Sequence, residues 1–255
     1  MKILVTGYKG FIGQNLLESE YFSGNDFTLV EKDEEFPNIK GFDWVIHLGA
    51  ISATTGRIED VMKYNYEYSM MVYDECVKHG VNLQWASSAS VYGTSTSFKE
   101  SDDPDPRSPY SWSKYLMERY IDMNPSNIIV QGFRYFNVYG PHEDHKGNMA
   151  SPYHKFEKQL EESGVISLFD GSNKSIRDFI NVDQVLKLQA DLMDKAVCGV
   201  FNIGTGSPKS FLDVANELLV KYPKGKVVYI PMPENIKKNY QAYTCADMNK
   251  VRGIL

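Results

Sequence analysis

Short apolar runs alternate with longer amphipathic stretches through the first two thirds of the chain. Residues 2–6, 27–31, 43–48, 82–87 and 127–133 have the length and apolar content of buried strands. Between them, 11–20, 58–78 and 109–123 repeat apolar positions at helical intervals. This alternation predicts an α/β fold: a doubly wound parallel sheet with helices on both faces. The proline-rich stretch 102–109 is a loop, because proline fits neither a helix interior nor a central strand. Ser108 followed by Pro109 is a start signal for the next helix.

After Gly140-Pro141 the rhythm changes. Short strands at 165–169 and 200–203 mix with helices near 153–162, 182–194 and 211–222. The expected organisation is a nucleotide-binding domain over 1–140. A smaller substrate-binding lobe over 141–255 is interleaved with the main sheet and closes over a cleft.

Composition narrows the function. A chain of 255 residues holds one large domain with a small appendage. The net charge of −6 comes without a basic stripe, which argues against nucleic acid. No apolar run is long enough to span a bilayer, and no secretory signal opens the chain. Cys76, Cys198 and Cys245 are odd in number and widely spaced, which suggests reduced thiols and a cytoplasmic location. The five histidines lack ligand spacing, so no metal site is expected. The stretch 64–71 carries tyrosines and methionines that could form a subunit face in a homo-oligomer or lie in the core.

Three motifs carry chemistry. Gly7, Gly10 and Gly13 directly follow the first strand and open the first helix. Such a turn lets a pyrophosphate approach the backbone at the positive helix end. The second strand ends in Glu31-Lys32: the carboxylate suits the ribose diol of NAD, whereas the lysine suits the 2′-phosphate of NADP. NAD is preferred of the two. A serine run around Ser88 closes the fourth strand, where ligands bind in open α/β sheets. Tyr110 and Lys114 lie four apart on the predicted helix and therefore share a face. For a tyrosine to act as a base near neutrality, its pKa must fall by roughly 3 units, about 4 kcal/mol, and a neighbouring cation is one source of that help.

With glycine turn, serine run and Tyr-x-x-x-Lys in one order, the chain resembles the extended short-chain dehydrogenase/reductases, a family with a Rossmann-type sheet. The run 132–141, the block His145-Lys146-Gly147-Asn148-Met149-Ala150-Ser151 and the segments at 177–179, 201–206 and 240–244 are similar to its ADP-heptose 6-epimerase branch. The resemblance implies an epimerase that passes a hydride through a tightly bound NAD or NADP while acting on a nucleotide-diphosphate sugar. Ser88 and Tyr110 would hold the reacting hydroxyl, Tyr110 as acid and base. Lys114 would bind the nicotinamide ribose and lower the tyrosine pKa, and Lys146 would be a second acid/base on the opposite side of the sugar. Gly7, Gly10, Phe11, Ile12, Gly13, Glu31, Lys32, Leu48, Gly49, Ala50, Asn65 and Val138 would line the dinucleotide. Asn137, Asn148, Phe169, Arg177 and Tyr240 would contact the substrate. Another sugar nucleotide, a reductase activity, or a nucleotide-binding protein without turnover are the alternatives. Two departures accompany the likeness. Only eleven residues separate Glu31 from Asp43, where the family fits a helix and a further strand, and relatives continue past Leu255.

Overall fold

A computed structural model describes residues 1–52, 57–234 and 241–255. Six strands form the central sheet: β1 (Lys2–Thr6), β2 (Asp26–Val30), β3 (Trp44–His47), β4 (Asn82–Ser88), β5 (Val130–Tyr135) and β10 (Gly199–Ile203). They are all parallel, in the order β10-β5-β4-β3-β1-β2. The chain leaves β1 for β2 on one side and returns to β3 on the other. The carboxyl ends of β1 and β3 therefore flank a topological switch point, where open α/β sheets bind ligands. No helix or strand forms between β2 and β3, so β2 is the edge of the sheet.

Alternation along β1 builds both layers. Ile3 and Val5 pack toward Leu16 of α1 (Phe11–Glu18) and Leu186 and Met193 of α6 (Val182–Lys195). Leu4 points the other way, into a cluster with Val72 and Cys76 of α3 (Tyr68–His79) and Met117 of α4 (Pro109–Met123). Tyr66, Tyr68, Met70 and Met71 pack against that same cluster, the core alternative for the aromatic stretch. The remaining strands make small pairs: β6 (Asn137–Tyr139) with β9 (Phe179–Asn181), β8 (Ile176–Arg177) with β11 (Lys209–Ser210), and β7 (Val165–Phe169) with β12 (Lys226–Ile230). α5 (Pro152–Ser163) and α7 (Phe211–Lys221) cover β7 through Phe156, Leu160, Val214 and Ala215. Thus α6 and β10 join the main sheet, and the second lobe gathers around β7 and β12.

Local signals set two elements that shape the site. The start of α4 has a reciprocal cap: Ser108 Oγ accepts from Ser111 N at 3.1 Å and Ser111 Oγ accepts from Ser108 N at 2.9 Å. Ahead of α3, the stretch predicted as one continuous helix contains a π-helical turn at Met62–Glu67. Such turns widen the backbone spiral and often sit at functional sites.

Candidate active site

A cleft of about 600 Å³ opens where β1, β3 and β4 end. Its walls include Gly7, Gly10, Phe11, Ile12, Gly13, Leu48, Ala50, Ser88, Tyr110, Lys114, Val138 and Lys146. Gly7, Gly10, Leu48, Ala50 and Ile51 also belong to an adjoining recess of about 180 Å³, which adds Glu31, Lys32 and Gly49. Residues scattered over the first 149 positions thus line two adjoining cavities.

The glycine turn is close-packed. Gly7 has φ of +71°, and a Cβ there would lie 2.5 Å from the Gly49 backbone. A Cβ on Gly13 would lie 2.6 Å from the Gly7 carbonyl oxygen. Only glycine lets α1 start this close to the β1 end. Glu31 Oε1 accepts from the Lys9 amide at 2.9 Å and so holds the turn to the end of β2. The Lys32 ammonium lies 4.6 Å from the Tyr64 ring centroid at the recess.

Tyr110 and Lys114 come from the first turns of α4 and meet Ser88 at the end of β4. Tyr110 and Ser88 line the cleft together. Burial pushes the phenol above its ordinary value, and the Ser88 hydroxyl draws it partly back. The Lys114 ammonium lies 5.8 Å from the Tyr110 ring centroid, is 2 % exposed, and burial lowers its pKa to about 8. Burial, and not the expected pull of the neighbouring cation, sets the direction of the phenol's shift. Behind these residues, Arg134 grips Glu118 with two bonds of 3.0 and 2.6 Å, and Ser87 donates to the same carboxylate at 2.6 Å. This buried knot fixes α4 to β4 and β5.

Asn65 does not line the cleft. It lies in the π-helical turn, fully buried, where its amide bonds both the N–H (2.7 Å) and the carbonyl (2.9 Å) of Ile51. It also reaches Ser113 Oγ of α4 at 3.3 Å. A hydrogen-bond chain continues from it through Ser69 to His47. Ser69 Oγ spends its proton on the Asn65 carbonyl at 2.7 Å, so it accepts from His47 Nε2 at 2.7 Å. His47 therefore carries its proton on Nε2, and Nδ1 accepts from Thr6 Oγ1 at 2.6 Å. Burial, and secondarily the Lys114 charge, lower the His47 pKa to about 3.

Lys146 reaches the cleft from a 3₁₀ turn, Asp144–Met149. Its ammonium pairs with Glu143 Oε2 at 2.8 Å and sits 4.3 Å from the Phe11 ring centroid. Glu143, His145 and Met149 are residues that the motifs did not single out as functional; the latter two line the cleft.

Of the expected substrate contacts, Ser88 lines the cleft. Asn137, Asn148, Phe169 and Arg177 are not among the residues lining the cleft. Asn137 donates to the Asp178 carbonyl at 3.2 Å and to Thr244 Oγ1 at 3.4 Å. Arg177, mostly buried, donates to the carbonyls of Ile176 and Gln241. Asp178 binds Thr205, Gly206 and Ala246 through its carboxylate. Asn148 and Phe169 present carbonyls to Lys155 and Ser172. Tyr240 lies outside the described residues. Among the described residues, no group of three or more metal-ligating side chains occurs, and no helix is long and apolar enough to cross a membrane.

Comparison with known proteins places this geometry. Residues 3–204 match the NAD dependent epimerase/dehydratase family. The ADP-L-glycero-D-manno-heptose-6-epimerase of Alkalilimnicola ehrlichii is 36% identical over 98% of this chain and 90% of its own length. The crystal structure of the Helicobacter pylori enzyme of that name superposes with a TM-score of 0.86 at 24% identity, over 99% of this chain and 89% of its own. A UDP-N-acetylglucosamine 4-epimerase from Methanobrevibacter ruminantium, complexed with UDP-N-acetylmuramic acid, gives 0.88 at 21% identity, over 99% and 91%.

Proposed function

The chain belongs to the NAD dependent epimerase/dehydratase family and is a nicotinamide-dependent sugar-nucleotide epimerase, and on that premise we propose that it inverts carbon 6 of an ADP-heptose. The observation that carries this reading is the meeting of Ser88, Tyr110, Lys114 and Lys146 in one cleft beside the glycine turn. Similarity to the Alkalilimnicola enzyme over nearly the whole of both chains supplies the substrate class.

The residues present fit the dinucleotide. Gly7, Gly10 and Gly13 leave room for a pyrophosphate against the α1 terminus, a Cβ being excluded at two of the three by backbone. The recess beside Glu31 and Lys32 would take the adenosine end, and Lys114 the ribose next to the nicotinamide. When bound, the oxidised nicotinamide would supply a hydride acceptor. Tyr110 takes the proton of the sugar hydroxyl, with Ser88 holding the same oxygen, and the carbon becomes a planar ketone. Once the ketone has turned, Lys146 gives its proton to the oxygen as the carbon regains hydrogen on the other face. Two proton-transfer groups on separate elements, Tyr110 on α4 and Lys146 on the 144–149 turn, serve the oxygen in either orientation of the ketone. The buried arginine at 177 and Asn137, both held beside the segment 241–246, would form the nucleotide-diphosphate end. The three free thiols support a reducing, cytoplasmic setting.

The test is NMR of ADP-, GDP-, UDP- and dTDP-sugars incubated with the purified protein. The expected result is inversion of ADP-heptose at carbon 6 without net consumption of NAD(P)H. Stoichiometric consumption, or inversion confined to another sugar nucleotide, would overturn the assignment.

A further inference from the structure

Glu143 belongs to the charged run His142-Glu143-Asp144-His145, yet it is completely buried. Its carboxylate collects four donors. Oε2 accepts from Lys146 Nζ at 2.8 Å and from the Ser151 amide at 2.7 Å. Oε1 accepts from Ser151 Oγ at 2.6 Å and from the Gly140 amide at 3.2 Å. Burial opposes the charge on Glu143, but the bonds from Lys146 and Ser151 outweigh it and hold the carboxyl below its ordinary range. The carboxylate therefore stays ionised, and Ser151 and Gly140 fix both its oxygens. Lys146 is gripped between this charge and the Phe11 ring, at the wall of the cleft.

We infer that Glu143 is the positioning residue for Lys146, holding its ammonium over Phe11 and keeping it charged until a sugar oxygen draws the proton. This rests on the reading of Lys146 as the second acid/base. In one direction of turnover Tyr110 gains a proton from the hydroxyl and Lys146 loses one to the ketone oxygen, its N–H electron pair remaining on nitrogen. In the other direction the transfers reverse. The two reactive forms contain the same number of protons and differ only in which residue carries one. Glu143 biases that shared state toward the ammonium at Lys146, so after the lysine has acted as acid it regains a proton as Tyr110 releases one, and the count is unchanged.

Other charges face the same lysine. Lys155 of α5 donates to the Asn148 carbonyl at 2.6 Å and interacts with the charges of both Glu143 and Lys146. His145, Lys114 and Tyr110 share the cleft. Glu143 is the carboxylate in direct contact with the ammonium.

Peptide-resolved acylation with trace acetic anhydride, run against pH on the cofactor-loaded protein, reads the neutral fraction of Lys146 without requiring turnover. Glu143→Gln is expected to move that labelling profile down by about 1 to 3 pH units, because an opposite charge at contact distance has been removed. It should also lower kcat about tenfold or more with KM little changed, as loss of a poised acid would. Glu143→Asp, which keeps the charge, should recover part of both. An unmoved labelling profile and unchanged kcat in Glu143→Gln would reduce Glu143 to a tie between Gly140 and Ser151 and overturn the inference. Lys146→Met separates the two readings: wild-type kcat in that variant would remove Lys146 itself from the reaction.

Discussion

Acidification should destabilise this fold through one buried imidazole. His47 is 2 % exposed and neutral, with its Nε2 proton on Ser69 and its Nδ1 lone pair filled by Thr6. A second ring proton would face the Thr6 hydroxyl, which the Gly49 amide also approaches at 3.4 Å, and would add charge near Lys114. The folded pKa is lowered to about 3, against roughly 6.5 in the unfolded chain. For a histidine lowered in this way, the stabilisation is complete above the unfolded pKa and is lost as pH falls from there through the folded value. The full effect is about 5 kcal/mol, and about 2.7 kcal/mol is already gone at a pH two units below the unfolded pKa. Against a total stability of about 5–15 kcal/mol this decides whether the protein survives acid. The assay is urea unfolding of wild type and His47→Gln at a series of pH values. Glutamine can still donate to Ser69 but does not titrate, and acid effects of the carboxylates cancel in the comparison. The wild-type curve should approach the variant's as pH falls below the unfolded histidine value. Parallel curves would refute the neutral, Nε2-protonated assignment.

Further outcomes follow from the site's construction. Gly13→Ala brings a Cβ within 2.6 Å of the Gly7 carbonyl and the Tyr8 Cα, so the variant should lose about 1–3 kcal/mol and emerge from purification without nicotinamide absorbance or fluorescence. Full cofactor occupancy would show that the turn adapts. Glu118→Ala leaves the Arg134 guanidinium buried without its partner and should cost about 3–5 kcal/mol in a denaturant melt, whereas a loss typical of surface pairs would contradict the buried knot. Tyr110→Phe should reduce turnover at least ~10²-fold while the thermal midpoint barely changes. Retained activity would move the base elsewhere, with Lys146 the first candidate.

Where local chemistry decides structure, the chain was legible. Ser108-Pro109 fixed the start of α4, and helical periodicity carried it to Met123. The run 82–87 differs from β4 by one residue, but 127–133 begins three residues before β5, since the proline-bounded approach is as apolar-flanked as the strand itself. The π-helical turn within 58–78 leaves no mark in the sequence pattern, because one widened turn barely disturbs an apolar period. It is that turn which places Asn65 against Ile51, behind the cleft and not on its wall. Glu143 was hidden for a different reason. In sequence it belongs to a charged loop, and only the return of Ser151 over it makes a buried carboxylate. The motifs around Gly7, Ser88, Tyr110 and Lys114 converge because strand ends and a capped helix are local features. Contacts made by 137, 148, 169 and 177 depend on how the second lobe folds back, and periodicity carries little information about that.

The most direct test of the account is epimerisation in D₂O. Transfer of hydride to the bound nicotinamide and back keeps the carbon-bound hydrogen out of solvent, so NMR should show both epimers of ADP-heptose with carbon 6 fully protiated. Deuterium at carbon 6 would contradict the account, since it requires the carbon to be deprotonated into water, and so would the absence of any interconversion.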